Sequence, residues 1–208
     1  MYYGEKFNSI THLVGAVLSL MAFGSLLTLS IQQHDPLLIA SFSIFGLTLV
    51  ILYTMSTLYH SFHPPRLKFI FQKLDHVSIY LLIAGTYTPY MLVSLGDGNG
   101  KMMLSFVWSL AILGLLLDIF LPKRIEILQI PIYLIMGWVC MFEYANLKIA
   151  IPAPGITWLT IGGFAYSIGI IFYVLDNTKT MRHAHGIWHL FVLMGSICHF
   201  ISIAIYVR

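Results

Sequence analysis

Charge is scarce in this chain: only 9% of its 208 residues are Asp, Glu, Lys or Arg, while 59% are hydrophobic. Soluble domains carry about 25% charged residues, so a water-soluble globule is excluded. Cysteine is scarcer still. Cys140 and Cys198 each fall in an apolar run and read as packed thiols, which excludes a disulfide framework. The net charge of +3 is small and the basic residues are scattered among connections, so there is no nucleic-acid footprint. No polar connection is long enough to hold a separate soluble domain. The opening MYYGEKFNS lacks a basic n-region, and the apolar stretch that follows, 10–31, exceeds the roughly 7–15 residues of a signal-peptide core. It reads as a retained first span.

What is present is a series of apolar runs. A membrane-crossing helix needs about 20 mostly apolar residues. Seven stretches qualify: 10–31, 37–61, 74–95, 102–121, 125–145, 153–175 and 184–206. The predicted fold is an all-α bundle of seven transmembrane helices in one domain, 1–208, in a bacterial plasma membrane. The breaks carry turn or polar chemistry: QQHDP, FHPPRLK, GDGNGK, PKR, 146–155 and DNTKTMRH. Pro131 falls inside the fifth span, where neighbouring helices can absorb a kink. With the amino terminus inside, Lys6, Arg66, Lys68, Lys73, Lys123, Arg124, Lys179 and Arg182 lie on the inner side, eight in all. Lys101, Lys148 and Arg208 make three on the outer side. The positive-inside rule then predicts a cytoplasmic amino terminus and an outside carboxy terminus.

That topology brings distant polar residues to one depth. Glu5, Asn8 and His12 belong to the inner end of the first span, Ser56 and His60 to that of the second, Asp75 and His76 to that of the third, and His185 and His189 to that of the seventh. His185 and His189 are i and i+4, one turn apart on one helix face, and can reach a single ion. His60 would complete His₃, a ligand set of catalytic zinc sites that keep a fourth position for water. A carboxylate near that water could act as base or orient it, and Asp75 is the candidate. A helical His pair alone is weak evidence, but ionisable residues at membrane depth are functional candidates by default.

Together Glu5-Lys6-Phe7-Asn8 leading to His12, Ser56-x-x-x-His60 followed by Asp75, and His185-x-x-x-His189 in the last span resemble the hemolysin III family. This family belongs with the progestin and adipoQ receptors, which include the adiponectin receptors, and more distantly with alkaline ceramidases. The resemblance covers essentially the whole chain. It implies a zinc ion near the cytoplasmic face with His60, His185 and His189 as ligands and Asp75 holding the metal-bound water. It also implies a supporting role for Ser56 near the water or substrate, and ligand-supporting or gating work for Glu5 and Asn8. His12, one helical turn beyond Asn8, reads equally as a supporting partner of the site and as a packing or interfacial residue.

The remaining polar residues have plainer readings. His76 need not face the ion, since consecutive helical residues point about 100° apart. His34, His63 and His183 read as loop residues, and His199 as hydrogen-bonded to a neighbouring helix. Asp118 is open between a relay group and a cap, and Glu143 reads as interfacial.

Three functions compete. The leading one is a zinc-dependent membrane hydrolase of a lipid amide or ester, ceramidase-like, with catalytic Asp75 and Ser56 and a lipid as partner. The second is a non-enzymatic sensor of membrane state with structural zinc. The third, a pore-forming cytolysin, fits poorly, because no repeated polar face would line a channel.

Overall fold

The structure, a computed structural model, describes residues 4–120 and 126–208, the latter stretch with side chains from 129 onward. Its elements are α1 (Lys6–Gln32), α2 (Pro36–Ser61), α3 (Pro65–Pro89) with a π-helical turn (Tyr90–Ser94), α4 (Gly100–Phe120), α5 (Glu126–Trp138), a 3₁₀ turn (Val139–Glu143), α6 (Tyr144–Ala150), α7 (Ala153–Asn177) and α8 (Ala184–Tyr206). Among the described residues, seven helical segments are long and apolar enough to cross a membrane, α3 counted with its π turn and the fifth running over Gln129–Ala150. The expected all-α bundle is observed.

Local chemistry sets several boundaries. Asp35 caps α2 by accepting from the Leu37 and Leu38 amides at 2.8 and 3.4 Å, with Pro36 in the first turn. Proline there costs nothing, because its missing N–H has no intrahelical partner and its φ suits the helix. The same property corrects the expected start of the third span. The FHPPRLK stretch reads as a break, yet α3 already begins at Pro65, with the basic turn holding Arg66 and Lys68 inside the helix. At its far end Pro89 removes a helical amide donor, and the chain continues as the π turn.

The fifth span is also corrected. In place of one helix over 125–145, α5 stops at Trp138, a 3₁₀ turn intervenes, and α6 runs to Ala150, inside the stretch expected to be a connection. Backbone polar groups freed at membrane depth need partners. The Tyr87 hydroxyl supplies two, donating to the Gly137 carbonyl at 3.0 Å and accepting from the Cys140 amide at 2.9 Å. The expected limits of the fourth and fifth spans at 121 and 125, and the basic pair Lys123 and Arg124, lie outside the described residues.

The most extensive packing joins α1 to α2, α2 to α3 and α7 to α8, and α1 also meets α8. Close approach depends on glycine where it matters. A Cβ on Gly186 would overlap the Phe7 ring, and one on Gly15 would overlap the Tyr53 ring. These gaps seat the start of α1 against the start of α8 and against α2.

Candidate metal centre

His60 closes α2, and His185 and His189 open α8. Their nearest ligand-capable nitrogens all lie within 4.8 Å of one another, and this trio could hold a metal ion. The ring centroids are 4.9 Å apart for His60 and His189, 5.0 Å for His60 and His185, and 4.7 Å for His185 and His189. His60 and His189 are buried, at 2% and 0% exposure.

Each ring is held by its other nitrogen. His60 Nδ1 donates to Glu5 Oε2 at 2.8 Å, and His185 Nδ1 to Asp176 Oδ2 at 2.9 Å. His189 Nδ1 lies 3.1 Å from both the Asn8 carbonyl and Thr11 Oγ1. Carboxylates and carbonyls only accept, so they place the proton on Nδ1 and leave the lone pair on Nε2. All three Nε2 atoms are buried without a hydrogen-bond partner. A metal-ligating histidine is oriented in this way, with one nitrogen for the ion and the other fixed by a carboxylate or carbonyl. The donor set therefore fits a divalent ion of the zinc type.

Glu5 is tied in from several sides. It accepts from Asn8 Nδ2 at 2.8 Å and faces Lys68 Nζ at 3.5 Å. Partial burial acts to raise its carboxyl, but the hydrogen bonds from His60 and Asn8, with the charge of Lys68, outweigh burial and hold it below the usual carboxylate range. A proton-free carboxylate is the form that can accept from His60.

Two cavities flank the cluster. One of about 330 Å³ is polar, with Glu5, Asn8, His60, His76, Asp176 and His185 in its wall. The other, about 300 Å³, is overwhelmingly apolar and runs between α3, α5, α7 and α8 along Ile83, Tyr133, Ile170 and Val192. His12 and Asp75 are in its wall. His189 links the two sides, because its ring stacks on His12 with centroids 3.5 Å apart and planes 12° from parallel.

The other expected site residues are placed as follows. Asp75 is buried in the apolar cavity wall, outside the group of mutually close ligand atoms. Ser56 Oγ is engaged by His12 Nδ1 at 2.6 Å. His76 lines the polar cavity, and His199 Nε2 bonds the Leu159 carbonyl of α7 at 3.2 Å. Asp118 accepts from Gln129, and Glu143 accepts from Asn99 and Asn146. His34, His63 and His183 are exposed. Asp176 went unrecognised in the sequence. Its signal was present, since an acid closing the sixth span shares a layer with a histidine opening the seventh.

The fold and the cluster define a class: a multi-pass integral membrane protein whose helix ends assemble a three-histidine, metal-capable centre. The chain belongs to the haemolysin-III-related family, whose model matches residues 2–200. It is 40% identical over 202 residues to "Hemolysin-3 homolog" of Bacillus subtilis (strain 168), covering 97% of this chain and 93% of that protein. It is 38% identical over 203 residues to "Hemolysin-3" of Bacillus cereus, covering 98% and 91%. A human relative, "Monocyte to macrophage differentiation factor", is 26% identical over 165 residues, covering 77% and 67%. Seven membrane-crossing helices together with bacterial hemolysin-3 relatives support a multi-pass integral protein of the bacterial plasma membrane.

Proposed function

We propose that this protein is a zinc-dependent membrane hydrolase that cleaves a lipid amide or ester. The observation that carries the reading is a histidine cluster that opens on a polar cavity through His60 and His185 and meets an apolar one through His12, stacked on His189. Water reaches such a site from the first, and an acyl chain fits the second. A bound divalent ion would supply Lewis acidity and a more acidic water. His60, His185 and His189 hold it, and Glu5, Asp176 and the Asn8 carbonyl fix their rings. Asp75, in the wall of the apolar cavity, takes the proton of the attacking water and returns it to the leaving amine or alcohol. The apolar walls keep bulk water from the rest of the substrate and set its orientation.

Among the described residues the ligand group holds three histidines and no fourth His, Cys or carboxylate. Structural zinc is normally closed by four protein ligands, so the open set favours hydrolysis over a sensor with structural zinc. The Lys and Arg distribution supports a site in the cytoplasmic leaflet. The test is release of fatty acid from ceramides and phospholipids by purified protein. Asp75→Asn should keep its metal and lose hydrolysis by two or more orders of magnitude; full activity in this variant would remove Asp75 from the mechanism.

A further inference from the structure

The cluster holds a fourth imidazole whose tautomer differs from the other three. His12 is 3% exposed, stacks on His189, and lies in the wall of the apolar cavity. Its Nε2, like those of the three ligand candidates, is buried without a hydrogen-bond partner. Yet its nitrogens lie outside the mutually close ligand group. The difference is in what holds Nδ1. The three ligand candidates donate to oxygens that can only accept, or to a threonine whose own proton goes to a backbone carbonyl. His12 Nδ1 instead meets a hydroxyl, Ser56 Oγ, at 2.6 Å. Ser56 is 1% exposed, and this is its hydrogen bond among the described residues. A buried hydroxyl proton needs an acceptor, and the one present is His12 Nδ1. In the neutral ring that puts the remaining proton on Nε2, which becomes a donor.

A buried N–H without a well-aligned acceptor is costly. The cost is offset when a ligand brings an oxygen to it. We propose that His12 Nε2–H is the oxyanion donor of the site, binding the carbonyl oxygen of the lipid amide or ester whose chain occupies the apolar cavity. The assignment rests on the hydrolase reading above. Water adds to the carbonyl carbon and gives its proton to Asp75, while the C=O electron pair moves onto the oxygen held by His12. The C=O bond then re-forms, the C–N or C–O bond breaks, and the leaving amine or alcohol takes the proton from Asp75. The products are a fatty acid and an amine or alcohol. Ser56 is a positioning residue here: it acts through His12 by fixing the tautomer.

His12→Phe keeps a flat ring against His189 but removes the donor, and His12→Gln keeps an N–H near the Nε2 position. In zinc-loaded protein His12→Phe should retain its metal and its KM while kcat falls about 100- to 1,000-fold, the usual loss for one oxyanion donor. His12→Gln should recover part of kcat, and Ser56→Ala should show a smaller loss. The second readout is the infrared stretch of a ¹³C-carbonyl-labelled long-chain fatty amide bound to each protein. The stretch should lie at lower frequency in wild type and His12→Gln than in His12→Phe. If wild type hydrolyses nothing but the frequency difference is present, the hydrolase reading fails while the donor assignment stands. An identical frequency in wild type and His12→Phe would overturn the proposal, as would loss of metal from His12→Phe or failure of wild type to bind the amide.

Discussion

Asp176 does for His185 what Glu5 does for His60. Each carboxylate fixes a ring through Nδ1 and turns Nε2 toward the shared centre. Such outer partners contribute about 10- to 100-fold to metal affinity. Asp176→Asn should therefore weaken zinc binding by about that factor while leaving all three ligands in place, as read by competition with a chromophoric chelator. An unchanged affinity would mean that Asp176 is a bystander. The three histidines were legible in the sequence because imidazoles at membrane depth need a reason and i, i+4 spacing supplies a geometry. Asp176 shares their layer, but that signal is weak, because an acid beside a polar break also reads as a solvated loop residue. Ser56 was legible as a site residue, but its contact was not. Serine and histidine sit on different helices, and only their packing shows that the hydroxyl meets His12.

At the scale of elements, the site depends on three helix ends being close enough for side chains to touch. Gly186, one residue after His185, lets the Phe7 ring and the start of α1 settle onto α8, which also brings the Asn8 carbonyl to His189. Gly186→Val should push these helices apart at an overpacking cost of about 1–3 kcal/mol. Thermal unfolding in detergent should show a lowered Tm, and metal affinity should fall with it; wild-type values for both would contradict this role. Helix count followed from the apolar runs, because each run had to be about a membrane thickness long. Helix limits did not. Pro64 and Pro65 look like a break but let α3 start early, and the fifth span is interrupted where the Tyr87 hydroxyl can satisfy the freed backbone groups. That partner is some fifty residues away in the chain, beyond the reach of any local pattern.

At the scale of the whole molecule, alternating crossings gather the ends of α1, α2, α3, α7 and α8 on one side, and that is where the polar cavity and the histidines lie. The orientation of this side follows from charge. Among the described residues, Lys6, Arg66, Lys68, Lys73, Lys179 and Arg182 belong to it, against Lys101, Lys148 and Arg208 opposite, which predicts that it faces the cytoplasm. In a background without Cys140 and Cys198, Thr180→Cys should be shielded from an impermeant thiol reagent in intact cells, and Asp97→Cys should react. The opposite labelling would invert the topology. The three partnerless Nε2 atoms of His60, His185 and His189 could hold a metal ion, and zinc is the ion proposed for them. Mass-spectrometric metal analysis of the purified, monodisperse protein tests it most directly. Wild type should carry one zinc per chain and His60→Ala almost none; a zinc-free wild type, or a His60→Ala variant with its full complement, would contradict it.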